Sequence, residues 1–244
     1  MNNQTSNQST NPIRLNKFLA ERLGVSRREA DEMISAGKVN INQKPAKLGD
    51  RVDRNDKVCY NNKIVPYHTE YLYLMFNKPV GYVCSRRSQG NAPTIYELLP
   101  AKYHNLKTVG RLDEDSSGLI ILTNDGDFAF KMTHPKFRKT KVYDVELNRE
   151  LEPLHQQMIS DYGVTLDDGP SQFKIIRLEN TPQNKPTQYT VILTEGRNRQ
   201  IRRTFAALGY KVTKLHRTSF GKFELNNLAF GKYDIIKVWV RFWV

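Results

Sequence analysis

The densest polar cluster in the sequence is Gly110-Arg111-Leu112-Asp113-Glu114-Asp115-Ser116-Ser117-Gly118, set between two apolar stretches. A loop fed by rigid strands is where a positioned carboxylate is expected. On residue types alone, Asp113 and Asp115 admit three readings: turn residues, metal ligands or a catalytic pair. No histidine lies close in sequence, which weighs against a metal. A second concentration is basic. Residues 195–217 hold seven cations (Arg197, Arg199, Arg202, Arg203, Lys211, Lys214, Arg217) and one acid, Glu195. Such a run is either a solvated face or a grip for a polyanion. His134 and His216 stand alone and read as structural or surface residues. Asn124-Asp125-Gly126-Asp127 resembles part of a calcium loop without the remaining ligands. It reads as a turn, with Asp127 capping a helix from Phe128 to Met132. Asp167-Asp168-Gly169 reads as another turn. Cys59 and Cys84, the two cysteines, belong to no CxxC or Cys/His cluster, so neither a disulfide framework nor a structural zinc is expected. A reducing, cytoplasmic setting is the default.

The elements that must position these residues fall into two styles. Leu15, Phe18, Leu19 and Leu23 share one helical face, and Gly24 is a stop. Ser26-Arg27-Arg28-Glu29 has capping-box spacing for a second helix, with Ala30, Met33 and Ile34 inward and Gly37 at its end. Val39 to Asn42 alternates as a short strand, and two further strand candidates follow by Val58. Cations at a helix N-terminus oppose the macrodipole, so Arg27 and Arg28 point to a phosphate partner. Lys38 joins them. Residues 61–70 are polar, contain Pro66 and read as a linker, with the boundary near 66. From there strands dominate: Tyr71 to Phe76, Leu119 to Thr123, Val142 to Leu147, Thr190 to Thr194, Lys211 to Leu215 and Asp234 to Val240. Tyr189 with Val191, and Trp239 with Trp243, alternate as core residues. One helix is expected around Ile201 to Leu208, with Gly209 as its stop. These elements predict an α+β fold whose second domain has a mixed, largely antiparallel sheet. No strand–helix alternation, GxGxxG or GxxxxGKT supports a Rossmann or P-loop site.

The chain has 244 residues, 38 Lys plus Arg against 25 Asp plus Glu, and a formal charge of +13. A surplus of this size points to nucleic acid. Both parts share it: residues 1–67 hold 12 basic and 7 acidic residues, the rest 26 and 18. Mean hydropathy is −0.62, and no apolar run approaches the ~18 residues of a membrane span. The opening MNNQTSNQSTNP lacks the basic and apolar regions of a signal peptide and reads as a disordered tail over residues 1–12.

Arg14 to Leu19, Ser26 to Ala30, Gly37-Lys38-Val39 and Gly49 to Val52 together resemble the S4 RNA-binding domain over residues 13–66. The resemblance implies that the second helix meets RNA, with Arg27, Arg28 and Lys38 on phosphate. Further along, four motifs occur in order: Asn77 to Ser85; Gly110-Arg111-Leu112-Asp113 with Ser117-Gly118-Leu119; Lys141-Val142-Tyr143; and Glu195 to Arg203. This stretch, within 67–244, resembles the RsuA-type branch of the ribosomal RNA pseudouridine synthases, whose members often carry an S4 domain. The resemblance implies isomerisation of uridine to pseudouridine with no cofactor and no metal. It gives Asp113 the catalytic role, Tyr143 contact with the base and proton work, and Arg202 the pairing with the aspartate. Arg111 is the residue that fills the stack when the uridine leaves it, and Lys78 and Pro79 support the site. Lys78, Arg197, Arg199 and Arg203 are counted among the RNA contacts. With Ile201, Phe205 and Leu208 on the core side of their helix, Arg202 is expected to face the pocket and Arg203 to point away.

The chemistry agrees with those roles. Asp113 must be ionised in a site that excludes water, whether it attacks the ring at C6, attacks C1′, or removes a ribose proton. A nearby guanidinium keeps it charged. The uridine must also be flipped out, at roughly a few kcal/mol. Asn198-Arg199-Gln200 is closer to large-subunit enzymes, whereas Gly81 to Ser85 and Leu215-His216-Arg217 lean toward small-subunit ones; the balance favours 23S over 16S. The substrate is expected as ribosomal RNA, naked or in an assembling subunit, with a monomeric enzyme and no membrane partner. Two other classes compete: a non-catalytic S4-type RNA-binding or ribosome-assembly factor, and a metal-dependent nuclease using Asp113 and Asp115.

Overall fold

A computed structural model describes residues 12–67, 70–86, 90–178 and 185–236. The opening tail through residue 11 and the segment carrying Trp239 and Trp243 lie outside the described residues. The chain divides into two compact units, Met1–Tyr71 and Leu72–Val244.

The first unit begins with β1 (Ile13–Arg14), α1 (Leu15–Leu23) and α2 (Arg27–Ser35). Gly24, at φ 70°, ends α1 in the left-handed conformation that glycine adopts without strain. The capping box of α2 is present: Ser26 Oγ accepts from the Glu29 amide at 3.1 Å, and Glu29 Oε2 accepts from the Ser26 amide at 2.6 Å. Five short strands follow: β2 (Val39–Ile41), β3 (Lys44–Pro45), β4 (Arg51–Val52), β5 (Val58–Tyr60) and β6 (Lys63–Ile64). They form an antiparallel sheet in the order β3-β2-β5-β6, with β1 paired to β4. Leu15, Phe18, Leu19, Ala30, Ile34, Val39, Val52 and Val58 make its core. Each large apolar side chain buried there contributes about 1.5–3 kcal/mol. The stretch expected as a linker from residue 61 instead continues the fold. Asn61 and Asn62 both have positive φ and turn β5 into β6, and Val65 is buried. Asparagine tolerates this conformation through its short polar side chain.

The second unit contains β7 (Tyr73–Lys78), β8 (Lys107–Val109), β9 (Ser117–Thr123), α3 (Gly126–Thr133), β10 (Lys141–Leu147), α4 (Pro153–Gln157), β11 (Val164–Leu166), β12 (Gly169–Ser171), β13 (Lys174–Arg177), β14 (Gln188–Leu193), α5 (Gln200–Ala207), β15 (Val212–Phe220), β16 (Phe223–Glu224) and β17 (Tyr233–Ile235). The main sheet runs β13-β14-β10-β15-β9-β7-β17, with β8 on β9 and β16 on β15; β11 and β12 form a separate hairpin. Neighbours are antiparallel except β15 and β9. The mixed, largely antiparallel sheet expected from the strand pattern is therefore the observed one. All seven residues of β9 are buried, which explains its unbroken apolar run.

The parallel contact between β15 and β9 is short: His216 opposite Ser117 and Arg217 opposite Gly118. Gly118 makes it feasible. A Cβ there would lie 2.2 Å from the Arg217 carbonyl oxygen, and its φ of 109° is outside the range L side chains adopt readily. Ser117 Oγ and His216 Nδ1, 2.9 Å apart, add a side-chain link across the junction. At the start of α3 the cap is Asp125, not Asp127. Asp125 Oδ1 accepts from the amides of Asp127 and Phe128, and Oδ2 accepts from the Tyr73 hydroxyl. Asp127 already stands in the first turn.

Candidate active site

Asp113 sits in the loop between β8 and β9, just ahead of the junction with β15. The loop is drawn tight by the Ser116 amide donating to the Asp113 carbonyl at 3.1 Å. Lys78, at the end of β7, holds it from beneath. Its ammonium donates to the carbonyls of Ser116 (2.6 Å), Pro79 (3.0 Å) and Glu114 (3.4 Å). Lys78 is fully buried, and burial lowers its pKa against the pull of the surrounding acids. It therefore supports the loop, and its expected contact with RNA does not fit. An ammonium with three carbonyl acceptors is satisfied inside the protein.

Tyr143 reaches the same place from β10. It is buried within the core cluster and lines a cavity of 610 Å³ with Arg111, Asp113, Lys141, Arg199 and Arg217. That volume is in the range of small-molecule sites. The β10–β15 register shifts between Val142 and Tyr143, and such bulges re-aim side chains. Arg111 is exposed at this cavity.

The arginines of the 197–203 segment divide differently from the helical expectation. Arg199 Nη1 lies 3.6 Å from Asp113 Oδ2. The same guanidinium grips Asp115 with two hydrogen bonds, 3.0 and 2.8 Å. Arg202, expected to pair with Asp113, instead faces Asp115. Its Nε is 3.3 Å from Asp115 Oδ2, and its Nη atoms donate to the carbonyls of Asp115 and Val212. The reason is local. Arg199 is the residue before α5, at φ 47°, so its side chain leaves outside the helical period. Arg202 follows the helix and runs to the start of β15. The bonds from Arg199, aided by the charge of Arg202, hold the Asp115 carboxyl below the usual carboxylate range.

Arg197 and Arg203, both expected to contact RNA, are engaged within the protein. Arg203 makes a two-bonded pair with Asp168 at 3.0 and 2.7 Å. Arg197 Nη1 donates to Asp168 Oδ1 and to the Asp168 and Gly169 carbonyls, and Nη2 donates to Pro170. They tie the β11–β12 turn to the loop before α5, and Arg203 does point away from the cavity. Asp167-Asp168-Gly169 is the turn that the sequence indicates, with the added role of anchoring both arginines. In the first unit, Arg27, Arg28 and Lys38 are exposed, and Arg27 Nη2 donates to Asn16 Oδ1 at 3.3 Å.

Two cavity residues escape the sequence reading. Arg217 is only 2% exposed, and its Nε donates to the Leu119 carbonyl at 2.7 Å. Lys141 Nζ stands 3.3 Å from the carbonyls of Lys139 and Glu195. Burial and the charge of Arg217 lower its pKa to about 8, partly opposed by Glu195. The available signal was period two: Lys141 shares a strand face with Tyr143. Among the described residues, no group of three or more His, Cys, Asp or Glu could hold a metal ion. Nor is any helix among them long and apolar enough to cross a membrane.

The RNA pseudouridylate synthase family matches residues 72–207, and the S4 domain family matches 13–65. A ribosomal small subunit pseudouridine synthase A of Pasteurella multocida is 38% identical over 234 residues, 91% of this chain and 94% of that protein. A ribosomal large subunit pseudouridine synthase B of Bacillus subtilis is 34% identical over 222 residues, 89% of each chain. A crystal structure of a pseudouridylate synthase superposes with a TM-score of 0.65 at 32% identity, over 92% of this chain and 96% of that one. A carboxylate and a tyrosine sharing one cavity on a mixed sheet, and matches that span both units, lead to one conclusion: the chain belongs to the RNA pseudouridylate synthase family of isomerases and carries an S4 domain ahead of the synthase domain.

Proposed function

We propose that this protein converts a specific uridine of ribosomal RNA to pseudouridine, with Asp113 as the essential carboxylate and Tyr143 against the flipped base. The observation that carries this reading is the pairing of Asp113 and Tyr143 in one cavity, with a guanidinium 3.6 Å from the carboxylate. Asp115 already has two hydrogen bonds from Arg199, whereas Asp113 keeps a looser ion pair and stays available to a substrate. The reaction breaks C1′–N1, and the bonding pair leaves with the uracil. The ring turns, C5 supplies a pair to the new bond at C1′, and the C5 proton departs to a base. Asp113 acts on the ring, on C1′ or on a ribose proton in the first step. Tyr143 offers its ring face to uracil and its hydroxyl for proton transfer. Arg199, 3.6 Å from Asp113, is placed to orient the carboxylate. Arg111, exposed at the mouth, suits the gap that the uridine leaves. The exposed cations Arg27, Arg28 and Lys38 of the S4 unit supply phosphate contacts that offset the cost of flipping.

The named relatives include small-subunit and large-subunit enzymes. Between the two ribosomal RNAs we favour 23S, on the Asn198-Arg199-Gln200 sequence. The test is tritium release from 16S and 23S transcripts labelled at uridine C5, with Asp113→Asn alongside. Release from 23S, reduced at least about a thousandfold in the variant, is expected. Release from 16S alone would transfer the reading to the small subunit. Silence on both, and on subunit precursors, with salt-sensitive binding intact, would favour a binding or assembly factor.

A further inference from the structure

Lys141 and Arg217 have no part in the reaction as derived above. Lys141 and Tyr143 leave the same face of β10, two residues or about 7 Å apart, and both line the cavity. Arg217 stands opposite Tyr143 in the β10–β15 register. The Phe220 ring lies beneath both cations, 5.3 Å from Lys141 Nζ and 4.9 Å from the Arg217 guanidinium carbon. Neither forms a salt bridge among the described residues. The Glu195 carboxylate is turned to Gln200 and Arg197, and that of Asp113 lies beside Arg199. Arg217 is almost wholly buried, and its Nη2 has no hydrogen-bond partner. Two cations held together in a half-enclosed site, without a counter-ion, are unfavourable unless an anion joins them.

We propose that Lys141, with Arg217 behind it, forms an anion subsite that holds a backbone phosphodiester beside the target uridine while the base lies on Tyr143. The inference rests on the pseudouridine-synthase reading of the cavity. Two observations select a phosphate. First, neither cation has an ion-pair partner among the described residues, and Lys141 is met only by two backbone carbonyls and the more distant charge of Glu195, so the site matches a permanent charge rather than one formed only during reaction. RNA's permanent charge is the phosphodiester. Second, the step from Tyr143 to Lys141 suits a nucleotide, whose base and phosphate are separated by a ribose. Lys141, half-buried, makes the contact. Arg217, sealed beneath the surface, is a positioning residue that adds its field from behind. Gly196, packed over Lys141, adds no side chain above the ammonium.

The test is binding of a fluorescein-labelled oligouridylate across a salt series by wild type, Lys141→Gln and Lys141→Arg. Lys141→Gln is expected to bind about five- to tenfold more weakly, and its slope of log affinity against log salt should be shallower by about 0.7. Lys141→Arg should keep the wild-type slope, and its melting curve guards against a folding defect. On the transcript that releases tritium, Lys141→Gln should lose rate at subsaturating protein in proportion to its weaker binding. Equal affinity and slope in Lys141→Gln would overturn the proposal. So would a rate loss without a binding loss, which would place the needed charge on the reacting uracil.

A pH series gives an independent arm. The charged groups facing Lys141 are Arg217 from β15, Glu195 from the loop after β14, and Arg111, Asp113, Arg197 and Arg199 around the cavity. With a pKa near 8 in the free protein, a bound phosphate draws that pKa upward. Wild-type affinity should therefore be level below about pH 8 and fall above it, by up to about tenfold per unit. Lys141→Arg should stay level over the same range. A level wild-type profile there would overturn the subsite. If wild type releases no tritium from any RNA, the enzyme reading fails on its own, and the oligouridylate arms still decide the subsite.

Discussion

Asp113 and Asp115 are two residues apart, yet their surroundings give them different tasks. Asp115 is gripped by Arg199 and touched by Arg202, so it fixes the loop. Its lowered pKa means that this tie is complete above the ordinary carboxylate range and is lost only as pH falls through the lowered value. Asp113 keeps one cation at 3.6 Å. On the proposed function, Arg199 acts on the reaction through Asp113, whereas Arg202 holds the loop. Replacing Arg199 by Ala should lower the single-turnover rate by about a hundredfold. Lysine at that position should recover only part of the loss, because it cannot reproduce the two-bonded grip on Asp115. Arg202→Ala should instead reduce the melting temperature by several degrees, since the carbonyls of Asp115 and Val212 lose their donor. A rate loss confined to Arg202→Ala, with Arg199→Ala unaffected, would reverse the assignment.

At the scale of elements, the site depends on where two runs of antiparallel strands meet. Strands β13, β14 and β10 reach β15 from one side, and β9, β7 and β17 lie on the other. The parallel contact at Gly118 and Arg217 joins them, and the Asp113 loop enters β9 at that point. Any side chain at residue 118 must push β15 away, because the nearest atoms are backbone. Gly118→Ala should cost about 3 kcal/mol or more, seen as a fall in melting temperature of roughly 6–12 °C. Activity should drop beyond what the remaining folded fraction explains, as the separation of Asp113 from Tyr143 changes. A melting temperature within a degree of wild type would show that the junction relaxes freely.

For the whole molecule, the +13 charge is only partly available to RNA. Arg197, Arg203 and Lys78 are engaged internally, so the proposed phosphate grip falls to exposed cations such as Arg27, Arg28 and Lys38. Replacing those three with Gln should weaken binding to ribosomal RNA and reduce the salt slope by about 2–3. The single-turnover rate at saturating protein should remain near wild type, since the cavity lies within the second unit. An unchanged slope would remove the S4 unit from the RNA contact.

Much of this was legible in the chain itself. Local rules mark α1, with its Gly24 stop, and α2, with the Ser26–Glu29 box. Apolar runs and alternation mark the strands, and the ordered motifs lead to Asp113 and Tyr143. These features are local, so a few neighbouring residues determine them. The hairpin at Asn61-Asn62 was hidden because its turn lacks the usual glycine. Asp125 and Asp127 could not be ranked as caps by spacing alone. The choice between Arg199 and Arg202 belongs to tertiary structure. Arg199 and Asp115 are 84 positions apart, and Arg199 leaves a left-handed backbone that helical periodicity does not describe. The fates of Lys78 and Arg217 follow from the same cause. A charged residue in sequence is presumed solvated, and only the packing of β7, β9 and β15 reveals that one is satisfied by buried carbonyls and the other keeps an unmet donor. Residue type and local period therefore determined the elements, and the motif resemblance pointed to Asp113 as the candidate carboxylate. The partners of each charge were decided by strand register and burial, which bring distant residues within hydrogen-bond range.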